Sequence, residues 1–90
     1  MIYMFLADGF EEIEAISIVD ILRRAGVTCD MVSLGGESVN GSHKITVHPD
    51  FQFDHATWPD YDMLILPGGL PGADTLRDDP RVIALVKDFA

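Results

Sequence analysis

The sequence predicts an open α/β sheet, with strands and amphipathic helices alternating along the chain. Three observations predict it: a continuous apolar run at the start, helical periodicity after the first and last strands, and glycine-rich turns where strands end. Met1 to Ala7 (Met-Ile-Tyr-Met-Phe-Leu-Ala) is apolar throughout and bounded by Asp8-Gly9. A strand covered on both faces reads this way, and such strands belong to parallel sheets flanked by helices. From about Glu11 to Ala25 the pattern turns helical. Ala15, Ile18, Val19, Leu22 and Ala25 form one stripe, with Ser17, Asp20 and Arg24 opposite. Arg23-Arg24 followed by Gly26 supply the stop.

Val27 to Leu34 reads as a second strand, punctuated by Gly35-Gly36. Val39 to His48 reads as a short, partly exposed hairpin turned at Asn40-Gly41, with Pro49-Asp50 ending it. Phe51 and Phe53 alternate with Gln52 and Asp54 as a half-buried stretch, and His55 to Asp60 is a connector. Asp62 to Leu66 is another buried strand and runs directly into Pro67-Gly68-Gly69-Leu70-Pro71-Gly72. Asp79 as N-cap and Pro80 at the first helical position open a last helix, whose Val82, Leu85, Val86 and Phe89 share a face. This order argues for right-handed crossovers in one sheet. A β-α unit ordinarily continues into the next parallel strand. The 1–90 stretch is therefore expected to be the first half of a larger domain.

Charge and length remove several functions. The chain has 90 residues, with 15 acidic and 6 basic side chains and a net charge of −9. Six scattered cations build no basic stripe, so nucleic acid is not expected as a partner. No apolar run approaches the ~20 residues of a membrane helix. Met1 to Ala7 also lacks the basic flank and small-residue cleavage site of a signal peptide. The single cysteine, Cys29, can form no internal disulfide, and a cytoplasmic setting is expected.

Open α/β sheets bind ligands beyond the carboxyl ends of their strands. Two segments fall there: Asp8 to Glu14 after the first strand, and Pro67 to Gly72 after the last. Glu11 and Glu12 read as capping charges at the positive end of the helix. Glu14 lies between Ile21 and Ala25 on the helical wheel and edges the apolar stripe. Held against hydrocarbon, such a carboxyl would keep its proton more tightly and serve as a general acid; turned to solvent it would not. Gly68-Gly69 at a strand end lets a ligand approach main-chain N–H groups, as an oxyanion hole requires, although a plain tight turn uses the same residues. No Lys-Ser/Thr follows, so this is not a nucleotide loop. His43, His48 and His55 have no compact ligand spacing, and no metal is expected. Cys29 lies within a strand, where a thiol is a core or boundary group and not a nucleophile. Ile13, beside Ser17 and away from the main stripe, gives the first helix extra apolar width suited to a dimer contact.

Three blocks together resemble the ThiJ/PfpI family, and most closely its Parkinsonism-associated deglycase branch. They are Asp8-Gly9-Phe10-Glu11-Glu12-Ile13-Glu14-Ala15, Asp20-Ile21-Leu22-Arg23-Arg24-Ala25-Gly26, and Tyr61-Asp62-Met63-Leu64-Ile65-Leu66-Pro67-Gly68-Gly69. The resemblance implies a flavodoxin-like sandwich around an open parallel sheet, related to the class I glutamine amidotransferase fold. Residues 1–90 would be the N-terminal half of one such domain. It also implies a cofactor-free enzyme whose reactive cysteine sits on a strand-to-helix elbow, expected beyond Ala90. Glu14 matches the family's proton-shuttling glutamate, and Gly69 matches the glycine whose N–H enters the anion hole. Gly68 and Leu70 are the expected substrate contacts. Leu70 stands where some members carry a polar residue, and His43 where relatives often carry an arginine.

The activities that the resemblance implies are conversion of α-oxoaldehydes such as methylglyoxal and repair of glycation adducts. The alternative is a non-catalytic oxidative-stress sensor or chaperone using the same cysteine–glutamate pair. A flavodoxin-like binding or receiver module fits less well, because the last strand ends in Pro-Gly-Gly and not in a charged active-site residue. The expected partners are the C-terminal half of the same domain and a second copy docked through Ile13, Ser17 and the hairpin. The 90-residue chain by itself is expected to be inactive.

Overall fold

The first apolar run forms the centre of the molecule. In the computed structural model, which describes residues 2–55 and 62–89, it is strand β1 (Ile2–Leu6). Tyr3 to Ala7 are all buried, with Met4, Phe5 and Leu6 wholly out of reach of solvent. Covering side chains of this size contributes about 1.5–3 kcal/mol apiece, which fixes the run in the interior. Parallel neighbours flank β1 on both sides: β2 (Cys29–Ser33), with Ile2 opposite Cys29, and β6 (Met63–Ile65), with Ile2 opposite Met63. The short β5 (Phe51–Gln52) extends the sheet beyond β2, giving the order β5-β2-β1-β6.

Helix α1 (Glu12–Arg24) covers one face, where Ala15 and Val19 meet Met4, Leu6, Phe10, Cys29 and Val39. Helices α2 (Gly72–Asp78) and α3 (Pro80–Phe89) cover the other, where Leu76 and Val82 meet Tyr3, Phe5 and Val32. The expected α/β sheet with helices on both faces is therefore present. Arg23 does more than end α1: its guanidinium donates to the Cys29 carbonyl and to Asp50, tying the helix to the start of β2. Arg81 does the same at the far end, reaching Asp54, Asp79 and the Leu34 carbonyl while stacking over the Phe53 ring. As read from the sequence, Asp79 caps α3, accepting from the Arg81 and Val82 N–H groups.

Several expectations need correction. The last strand is not buried: Met63 in β6 and Leu66 just after it are about half exposed, because β6 lies at the edge of the described sheet. Residues 73–78, to which the sequence reading gave no element, belong with Gly72 to α2, because Leu76 is buried against the sheet. The hairpin does not turn tightly at Asn40-Gly41. Its strands are only β3 (Val39–Asn40) and β4 (Thr46–Val47), and residues 41–45 form a wider turn for a reason given below. Met1, most of the connector (56–60), Tyr61 and Ala90 lie outside the described residues, as does the Phe89 side chain expected on the apolar face of α3. Among the described residues no helix is long and apolar enough to cross a membrane.

Candidate functional site

Topology selects the location. From β1 the chain moves to β2 and β5 on one side, then crosses back to place β6 on the other. The carboxyl ends of β1 and β6 thus flank the point where the winding reverses, which is where open α/β sheets hold ligands. The two segments singled out from the sequence meet there. The Glu11 N–H donates to the Gly68 carbonyl at 2.8 Å. Gly69 has φ +100°, and a Cβ on it would lie 2.5 Å from the Glu11 nitrogen and 2.6 Å from the Gly9 carbonyl oxygen. Only glycine fits that backbone at that approach. Among the described residues the Gly69 N–H has no hydrogen-bond acceptor.

The carboxylate of Glu14 reaches this loop. Both of its oxygens lie 3.0 Å from where a Cβ on Gly68 would stand. Its side chain is exposed, so the edge of the helix that carries it is not packed against hydrocarbon. Ile21, 65 % exposed, and Ala25 share that outward side. The buried stripe of α1 instead runs Glu12, Ala15, Val19. Leu70 is 70 % exposed at the mouth of the loop. Gly68, Gly69 and Glu14 are therefore brought together, with Leu70 beside them.

Glu12 is the residue that the sequence reading misplaced. Glu11 alone is the cap, accepting from the Ile13 N–H. Glu12 is 5 % exposed, and its carboxylate gathers the turn of the hairpin around itself. One oxygen accepts the His43 and Ile45 N–H groups at 2.8 and 3.2 Å; the other meets His43 Nδ1 at 3.0 Å and the Ser42 hydroxyl at 3.4 Å. Gly41 packs directly on this carboxylate, where no Cβ could stand. Burial alone would raise the Glu12 pKa, but hydrogen bonds from its own N–H and from His43 and Ile45 override burial and hold it at about 2. His43 is pushed the other way, above its ordinary value, by its bond to Glu12 and the nearby Glu11 charge. A signal for this was present: positions 12, 15 and 19 share a helical face. Glu11, Glu12 and His43 stand close enough to surround an ion, but both Glu12 oxygens are already engaged, and the cluster is an internal ion pair.

Cys29 is buried at the start of β2, and burial pushes its thiol pKa up, the reverse of an activated nucleophile. A cleft of about 400 Å³ is bordered by Ala7, Ser33, Pro71, Thr75 and Arg81. Arg81 is engaged with Asp54, Asp79 and Leu34, and neither Glu14 nor Gly69 borders the cleft, so the chemistry-bearing groups lie elsewhere.

Comparison with known proteins points to one family. The profile of the DJ-1/PfpI family matches residues 1–90. The Parkinson disease protein 7 homolog of Danio rerio is 40 % identical over 88 residues, covering 94 % of this chain and 46 % of the relative. A deglycase of Thermococcus kodakarensis is 31 % identical over 81 residues, covering 90 % of this chain and 48 % of the relative. Among solved structures, oxidized DJ-1 of Toxoplasma gondii superposes with a TM-score of 0.91 at 36 % identity, covering 97 % of this chain and 48 % of that one. The chain thus spans about half the length of these relatives.

Proposed function

The chain belongs to the DJ-1/PfpI family, and on that premise we propose that it supplies one wall of a cysteine-dependent site acting on α-oxoaldehydes or glycation adducts. The observation that carries this reading is the Glu14 carboxylate lying over Gly68, next to a Gly69 N–H that has no acceptor among the described residues, at the reversal point of the sheet. An acid beside a backbone donor suits addition of a thiolate to an aldehyde carbon. The thiol's proton passes to the Glu14 carboxylate, and the C–S bond forms as the C=O π bond opens onto oxygen. The Gly69 N–H stabilises that oxygen as it gains charge, and Glu14, covered once the second half of the domain is in place, returns the proton to it. Gly68 and Leu70 border the place where the substrate would rest. The relative named as a deglycase supports glycation adducts as the substrate class.

The thiol has to come from elsewhere, because Cys29 is buried in β2. The open side of β6 offers the route. Among the described residues β6 pairs only with β1, and Met63 and Leu66 are about half exposed. An apolar groove of about 270 Å³, lined by Leu66, Leu76, Val82, Ile83 and Val86, runs alongside. A further parallel strand and helix, from the second half of the same domain, would cover both and end beside Gly69. A second copy is the other proposed partner. Ile13, Ser17 and Ile21 line the outward side of α1, with Ile45 exposed on the hairpin turn.

The test joins residues 1–90 to the second half of the Danio rerio relative and measures methylglyoxal turnover. Glu14→Gln is expected to lower kcat by about 10²-fold or more, the scale of a lost proton transfer, while Cys29→Ser leaves it unchanged. Near-normal turnover by Glu14→Gln would remove Glu14 from the mechanism. The competing reading, a sensor without turnover, would show as cysteine oxidation that depends on Glu14 in a protein inert to aldehydes.

A further inference from the structure

We propose that Glu12 is the positioning residue of the glycine site: the charged Glu12–His43 pair moulds turn 41–45 onto the first turn of α1 and thereby sets where the Gly68–Gly69 backbone sits. This rests on the reading of Gly68, Gly69 and Glu14 as the site. Contact is continuous along the route. The turn closes on Glu12, and it also closes on Phe10, whose carbonyl accepts the Ser42 N–H at 2.8 Å and which bridges Gly41. The segment before the helix is pinned from the same hairpin, since the Gly9 N–H donates to the Asn40 carbonyl and Asp8 accepts the Asn40 N–H.

Gly9, Phe10 and Glu11 in turn wall in the glycine loop. A Cβ on Gly69 would meet all three, and a Cβ on Gly72 would lie 2.7 Å from the Phe10 nitrogen. With no space between these layers, a shift of the turn moves Phe10, and a shift of Phe10 moves Gly69. The Glu12 carboxylate stands at the head of this stack. Charge-assisted bonds to backbone N–H groups are about twice as strong as neutral ones, so the ionised form holds the turn as the neutral form cannot. The charged groups that face it are Glu11 on its own helix and His43 on the hairpin, the latter 3.8 Å from Glu11. Lys44, next in the turn, makes no ion pair among the described residues. The loss of either charge therefore loosens the stack from the same point.

Amide and imidazole NMR of the chain through the titration of His43 tests this. The Gly68 and Gly69 amides are expected to shift with the same midpoint as the His43 ring. In Glu12→Gln that midpoint is expected to fall toward 6.5, the ordinary value for histidine, and the glycine amides to lose the common titration. Exchange at the His43 and Ile45 amides should quicken at least about tenfold, the weight of one charge-assisted bond. Should Glu12→Gln fail to fold, His43→Gln at the exposed ring gives the same reading, with glycine amides flat across the range. Glycine amides that stay flat in the unaltered chain, or that titrate unchanged in either variant, would overturn the proposal. Turnover plays no part in this readout, so a failure of the catalytic reading shows separately.

Discussion

Glu12 and Glu14 are two positions apart on one helix, yet one is buried in a turn and the other reaches an open glycine loop. The difference follows from helical geometry: position 12 lies on the stripe with Ala15 and Val19, whereas position 14 projects to the side shared with Ile21. Their pH signatures follow. Glu12 is depressed from 4.5 to about 2, so its contribution to stability is complete above pH 4.5 and is lost as pH falls through about 2. His43 is raised above 6.5, so its contribution is complete below 6.5 and is lost as pH rises through the higher folded value. Together they predict greatest stability of the hairpin between pH 4.5 and 6.5, falling on both sides, in hydrogen exchange of the Ser42 to Ile45 amides. A flat profile across neutral pH would mean that the pair holds nothing. The glycine pair and Glu14 were legible in the sequence as a strand-end loop and a helix-flank acid. Glu12 was not separated from Glu11, because a run of acids at a helix start is ordinarily capping charge, and the face that position 12 shares with Ala15 and Val19 gains its meaning only with the hairpin placed against it.

At the scale of elements, β1, α1, β2, β6 and α3 follow from apolar runs, periodicity and caps in the sequence. What was not legible depends on contacts between distant residues. Helix α2 exists because Leu76 finds the sheet, and the wide turn 41–45 exists because Glu12 fills it, contacts that span more than 25 residues. The cap of α3 is a local device with a measurable weight. Asp79 is held below the ordinary carboxylate range mainly by its bond to Arg81, against partial burial and with help from the Arg81 and Val82 N–H groups. Asp79→Ala should cost about 1 kcal/mol, typical of a lost N-cap, and denaturant unfolding would register it. A loss beyond about 2 kcal/mol would mean that Asp79 chiefly serves as partner to Arg81, whose ties to Asp54 and Leu34 join α3 to the rest of the sheet. The edge of β6 is the other element-scale feature: among the described residues it pairs only with β1, and an open strand edge invites another strand.

Among the described residues two apolar surfaces stand out, with different proposed occupants. One is the edge of β6 with its groove, assigned above to a further strand and helix of the same domain. The other is the outer side of α1 with Ile13 73 % and Ile21 65 % exposed, assigned to a second copy. Sedimentation of the joined protein should show a dimer that Ile13→Glu converts to monomer; an unchanged sedimentation coefficient would place the contact elsewhere. The alternation of strands and helices along the chain and the layers could be read from the sequence, but the β5-β2-β1-β6 order of the sheet could not; it comes from the crossover that sets β6 beside β1 and brings their ends together. That closeness is the basis of the functional reading. Its most direct test is the alkylation rate, as a function of pH, of the elbow cysteine in the joined protein with Glu14 and with Glu14→Gln. The predicted result is a displaced profile in the variant, because in the proposed site the Glu14 carboxyl would touch the sulfur and set its protonation. Superimposable profiles would contradict it, and would leave Glu14 a surface acid beside a tight turn.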